Sequence, residues 1–212
     1  MSERYPGYDV LAKRHTPSWN EQTRRVIDRR LALPRDPRFF SEAEWRTLEA
    51  VCRRIIPQPK ARPPVPIAAM VDAKLFEDYG DGYRDHRLPG ARAAWQNGLA
   101  AIDREAHRRY GVSFEALAAA EQDALLRAAQ DGLLSDPSWG MDCALFFAKR
   151  LLPDIVMSYY AHPTAWNEIG FGGPASPRGY VRMGFDRRDP WEAAEAKPGR
   201  EPAAAEENSR VG

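Results

Sequence analysis

Residues 136–183 read DPSWGMDCALFFAKRLLPDIVMSYYAHPTAWNEIGFGGPASPRGYVRM, and no other stretch constrains the fold as strongly. Leu145, Phe146, Phe147, Leu151, Leu152, Ile155, Val156, Met157, Tyr159 and Tyr160 cover more than one face of a helix, so this helix has to pack centrally rather than lie on the surface. Asp136 is placed to cap it, with Pro137 in its first turn. Pro153 lacks the N–H that would bond four residues back, which predicts a kink or a division near Lys149 and Arg150. Beyond His162 and Pro163 the composition changes. Trp166, Ile169, Phe171 and Tyr180 now alternate with Gly170, Gly172, Gly173, Pro174 and Gly179. Glycines free the backbone while aromatics supply contact area at low rotamer cost. We read this segment as an extended arm that presents Trp166, Ile169, Phe171 and Tyr180 to a partner. The competing reading folds Trp166, Phe171 and Tyr180 back over the chain's own helices.

The remaining apolar periodicities are also helical. Ser41 and Glu44 have the spacing of a capping box, and Trp45, Leu48, Val51, Cys52, Ile55 and Ile56 follow on one face up to Pro57, with Phe39 and Phe40 placed to staple the cap. The prolines between 57 and 64 make an extended connector. A second helix starts at Pro66 and uses Ile67, Met70, Val71, Leu75 and Phe76. A third follows Pro89 and Gly90, with Ala94, Trp95, Leu99, Ile102, Ala106 and Tyr110 on one face and Arg92, Gln96, Asp103, Arg104 and Arg108 on the other. Residues 113–132 predict a short helix running into a longer one, with Glu121, Gln122 and Asp123 exposed. Strand alternation and hairpin turns are not signalled, so the fold class is all-α: a compact domain of about five helices. Three parts are expected: an N-terminal arm at 1–38 with a thin helical face of Val26, Ile27, Leu31 and Leu33, a helical domain at 39–183, and a polar, disordered tail at 184–212.

Composition narrows the function. Lys and Arg total 31 against 30 Asp and Glu, so no global field draws the chain to nucleic acid or to an anionic membrane. With no run of about 18 apolar residues, direct membrane insertion is not expected. Cys52 and Cys143 lie in helical, apolar contexts that suit reduced, buried thiols. His15, His86, His107 and His162 show no ligand spacing, so no metal site is expected. The acidic, glycine-bearing segment 78–85 lacks the alternating oxygens and terminal Glu of a calcium loop and reads as a turn. Gly170-Phe171-Gly172-Gly173-Pro174 follows a helix and places a proline where a phosphate-binding helix would start, so it is no dinucleotide loop. Ser158 has no nucleophile elbow. The chain shows no catalytic residues and no cofactor-binding residues of its own. Arg29-Arg30-Leu31-Ala32-Leu33-Pro34 is followed at once by charged Arg35, Asp36 and Arg38 where a hydrophobic region would be needed, so it does not make a twin-arginine leader. A cytoplasmic location is expected, periplasmic only through export with a signal-bearing partner.

Several of these features occur together in one family. The segment Phe39-Phe40-Ser41-Glu42-Ala43-Glu44-Trp45 with Leu48 and Ile55-Ile56-Pro57, the Phe146-Phe147 helix, and Trp166-Asn167-Glu168-Ile169-Gly170-Phe171-Gly172-Gly173-Pro174 with Gly179-Tyr180 resemble the gluconate 2-dehydrogenase subunit 3 family over roughly residues 39–183. The resemblance implies a noncatalytic small subunit, an accessory rather than an enzyme, that binds a large flavoprotein of the glucose-methanol-choline (GMC) oxidoreductase type and supports its maturation, stability or export. FAD and the oxidation of a sugar or sugar acid would then belong to that partner, and a cytochrome c subunit would be a further chain. Two other classes compete: a general helical scaffold or regulator, and a stand-alone enzyme with a pocket lined by Trp95, Tyr110 and Tyr159.

Overall fold

The structure, a computed structural model, describes residues 3–60, 62–78, 82, 85–134, 136–175 and 179–212. Tyr79, Gly80, Asp81, Tyr83 and Arg84 of the acidic turn, and Pro177 and Arg178 of the aromatic arm, lie outside the described residues. In chain order the α-helices are α1 (Glu21–Leu31), α2 (Glu42–Ile55), α3 (Ile67–Phe76), α4 (Ala91–Tyr110), α5 (Ala119–Gln130), α6 (Cys143–Phe146), α7 (Leu152–Tyr160), α8 (Pro163–Ile169) and α9 (Glu201–Asn208). Among the described residues there is no strand, and the all-α reading holds. No helix among them is long and apolar enough to cross a membrane.

The chain divides into two units. One, the helical unit, comprises Pro34–Pro59 and Pro66–Tyr159; the other, the terminal unit, comprises Met1–Leu33, Lys60–Val65 and Tyr160–Gly212. This differs from the expected order of arm, domain and tail, because the chain's two ends build one unit together.

In the helical unit, α2 opens as its sequence predicts. Ser41 accepts from the Glu44 N–H, and the Glu44 carboxylate accepts from the Ser41 N–H at 2.8 Å, closing the capping box. Asp72 on α3 is buried and gathers the N–H groups of Arg38, Phe39 and Phe40 at 2.9, 2.9 and 3.0 Å, which satisfies donors that precede the helix. Phe40, Trp95, Phe146 and Trp139 form a chain of ring contacts, with centroids 6.3, 5.8 and 6.0 Å apart. Gly98 on α4 lies against the distal edge of the Phe146 ring, where a Cβ would come within 2.3 Å of Cζ. The residues after Ser113 form a short 3-10 turn (Phe114–Ala116) followed by α5, as expected. Gln122 departs from the expectation of exposure: it is buried and donates to the Phe114 carbonyl at 2.9 Å. Cys52 and Cys143 are free and buried, and burial pushes the Cys52 thiol well above its usual range.

The apolar helix starts later than predicted. Asp136 caps only a single 3-10 turn (Pro137–Trp139), which Gly140 ends with φ +60°; the helix begins at Cys143, where Asp142 accepts from the Leu145 N–H at 2.7 Å. Pro153 then divides it as expected. Ahead of the proline the chain widens into a π-turn (Phe147–Leu151), and the Leu152 N–H donates to the Phe147 carbonyl five residues back. The extra residue absorbs the missing donor and the steric demand of the ring without ending the helix.

The terminal unit has its own core of Tyr8, Val10, Trp19, Ile27, Trp166, Trp191 and Val211. Asp9 caps a 3-10 helix (Val10–His15), and Asn20 caps α1 by accepting from the Thr23 N–H at 2.8 Å. The expected disordered tail is instead structured: Trp191, Ala194, Ala204, Asn208 and Val211 are buried, and α9 lies within it. Asn208 holds the two ends together, donating to Pro6 O at 2.9 Å and to Ala194 O at 3.0 Å while accepting from the Ala194 N–H. The N-terminal arm likewise contributes core rather than draping over it. Composition misjudged both because their bulky apolar residues are few and scattered through polar sequence, and only pairing of the two segments brings them into one cluster.

Candidate functional site

The candidate surface lies in the terminal unit and begins at α8. His162 caps this helix, its Nδ1 accepting from the Thr164 N–H at 3.3 Å, and Pro163 fills the first turn. The helix stops at Gly170, which has φ +65°, and the Phe171 N–H returns to the Trp166 carbonyl at 3.0 Å. A side chain at Gly170 would meet the Tyr5 ring at 2.5 Å; one at Gly173, with φ +69°, would meet Trp166 at 2.7 Å. These glycines are therefore required both for backbone conformation and for close approach.

The four residues expected to face a partner separate into two groups. Trp166 is buried at 2% exposure; its indole N–H donates to the Tyr160 carbonyl at 2.6 Å, and its ring meets Phe171 edge-on at 5.5 Å. It belongs to the chain's own core, and as a direct partner anchor it is corrected. Ile169 is 45% exposed, Phe171 37% and Tyr180 71%. These three remain on the surface.

Sequence reading stopped short of the residues that continue this surface. Val181, Met183 and Phe185 follow Tyr180 with large exposure, and Phe185 is fully exposed. The backbone beneath them is anchored. The Met183 N–H donates to Asp189 at 3.0 Å, Arg182 pairs with Glu192 at 2.9 Å, the Asp189 N–H donates to Glu192 at 3.1 Å, and the Tyr180 hydroxyl reaches Gly173 O at 3.4 Å. Partial burial raises the Glu192 carboxyl, yet the hydrogen bond from Arg182 and the Asp189 N–H outweigh it and hold the group below its usual range. The signal for this ridge was the spacing of apolar residues around Arg182 in YVRMGF, a pattern too short for periodicity to resolve.

Behind the ridge is a cavity of about 360 Å³. Lys13 and Ser18, both nearly fully buried, line one part of it together with Gly172; Asp189, Trp191 and Glu192 also line it. Lys13 packs close to the Gly172 backbone, where an added Cβ would lie 2.7 Å from its Nζ.

Of the residues considered for stand-alone chemistry, Trp95 and Tyr159 are packed in the helical unit's core, and Tyr110 is exposed at the end of α4. His107 is exposed and lies 3.3 Å from Asp103 on its own helix. Among the described residues no group of three or more His, Cys, Asp or Glu side chains could hold a metal ion.

No curated protein and no solved structure matched the chain. The profile of gluconate 2-dehydrogenase subunit 3 matches residues 42–173, from the first residue of α2 through the Gly170–Gly173 turn, well over half the sequence. On that match the chain belongs to the gluconate 2-dehydrogenase subunit 3 family.

Proposed function

We propose that this chain is a noncatalytic accessory subunit that binds a large FAD-dependent oxidoreductase of the GMC type, acting on a sugar or sugar acid, and supports its folding and flavin loading. The observation that carries the reading is the ridge of Tyr180, Val181, Met183 and Phe185. Four apolar side chains stand in solvent within six residues while the backbone under them is fixed by an ion pair and a buried aspartate. Leaving such a ridge uncovered is unfavourable at about 25 cal/mol per Å² of apolar surface, and a prefixed backbone lowers the ordering cost of docking. Ile169 and Phe171 extend the same apolar character toward α8, and Trp166 holds that helix from behind.

Expression of a large GMC-type flavoprotein from the same genome, with and without this chain, tests the proposal. Co-expression should raise the soluble, flavin-loaded fraction, and the two chains should elute together in size-exclusion chromatography. A flavoprotein that loads fully alone and never co-elutes would overturn it.

A further inference from the structure

The helical unit carries an apolar groove of its own, about 310 Å³ in volume. Its floor is Ile55 at the end of α2, Leu126 of α5, and Phe147 and Leu152 at the two ends of the π-turn. Phe147 and Leu152 are five residues apart and share this wall because the turn takes an extra residue. Leu152 is 38% exposed, and along α7 the half-buried Val156 and the 58% exposed Met157 continue the apolar surface.

The rim is unequally charged. Arg54 and Asp123 are joined by two hydrogen bonds of 2.6 Å and so are committed to each other. Arg127 and Gln130 also line the groove, and among the described residues neither side chain has a hydrogen bond or an ion pair. Arg53, in the last turn of α2, and Lys149, in the π-turn, are exposed and equally uncommitted among the described residues. The other carboxylates of these elements are taken: Glu121 accepts from the Ala118 N–H, and Asp154 from Trp95 and Lys74. Asp131, just past α5, is the open one. Three uncommitted cations thus stand against one uncommitted carboxylate around an apolar floor, a surface that complements apolar anchors with carboxylates beside them.

We propose that this groove is a second contact for the flavoprotein and seats an acidic amphipathic segment of it. Apolar side chains of that segment enter between Ile55, Leu126, Phe147 and Leu152, and its carboxylates pair with Arg127 and Lys149. The contact presupposes the accessory-subunit reading and adds to it a site in the helical unit, apart from the ridge.

Mass photometry of the purified co-expressed complex, diluted in series at about 50 and about 300 mM salt, reads its dissociation. Leu152→Asp should raise the dissociation constant about 10-fold or more. Arg127→Glu should raise it about 3- to 10-fold at the lower salt and less at the higher. Arg29→Glu, the same change of charge at an exposed position of α1, should leave it unchanged. Should Leu152→Asp lower the melting temperature of the free chain, Arg127→Glu, an exposed side chain, carries the comparison by itself. A complex that forms but dissociates in both variants as in the parent, or that responds as strongly to Arg29→Glu as to Arg127→Glu, overturns the groove assignment and leaves the accessory reading standing. A flavoprotein that never associates with the chain overturns both.

Discussion

Trp95 donates its indole N–H to the Asp154 carboxylate at 2.8 Å, and both side chains are almost wholly buried in the helical unit. The same carboxylate accepts from Lys74 at 2.9 Å and lies 3.6 Å from Arg150. Removing a buried carboxylate that several donors share is far costlier than removing one of the donors. Asp154→Ala should lower stability by about 3–5 kcal/mol. Trp95→Phe retains most of the ring and leaves Lys74 on Asp154, so the lost hydrogen bond should contribute only about 1 kcal/mol. Urea denaturation of the two variants gives the comparison; equal losses would refute the shared-carboxylate account.

Gly98 is the position at which the α4 backbone lies on Phe146. A methyl group there would stand 2.3 Å from a ring already fixed between Trp95 and Trp139. Gly98→Ala raises intrinsic helix propensity, but overpacking should dominate and destabilise the chain by about 1–3 kcal/mol. A rise in melting temperature would show that the ring can yield.

Acid should act through the pair of Arg54 and Asp123, joined by two hydrogen bonds of 2.6 Å. The hydrogen bond from Arg54 holds the Asp123 carboxyl below its usual range, against a smaller opposing effect of burial. A carboxyl depressed in the folded state stabilises fully above its unfolded value, about 3.9, and loses that contribution as pH falls through the folded value. Asp123→Asn should therefore melt below the parent at neutral pH, and the gap should close below about pH 4. A gap that persists at pH 2 would assign the difference to packing.

Trp166 and the ridge should give opposite phenotypes. Trp166→Ala opens a cavity in the terminal unit's core and should cost about 3–5 kcal/mol. Tyr180→Ala and Phe185→Ala touch exposed side chains and should leave melting within about 0.5 kcal/mol while weakening flavoprotein binding. Calorimetry paired with a pull-down reads both. If Phe185→Ala destabilises the free chain, the ridge packs on the chain itself.

What the sequence made legible was local. The capping box of Ser41 and Glu44 acts across three residues, and Pro153 acts on its own preceding turn, so both could be read without knowledge of the tertiary fold. Trp166 could not. Its burial depends on Trp19 and Trp191, and the α8 register is pinned by the Val10 N–H donating to Asn167 at 2.8 Å across 157 positions. Glycine and aromatics in alternation describe an arm on a partner and a loop folded inward equally well, and only distant residues decide. Gln122 and Asp72 were misjudged or missed for the same reason, because polar residues are buried only where the fold brings backbone donors or acceptors to them.

The Asn208 amide reaches Pro6 O across 202 positions, and Val211 packs in the same cluster as Tyr8 and Val10. The terminal unit therefore cannot close until residues 191–211 have left the ribosome; residues 5–27 must wait for them, while 34–159 can already be collapsing. During that interval Trp19 and Ile27 stand without their final neighbours, which makes this the window in which a chaperone or a protease would meet the chain.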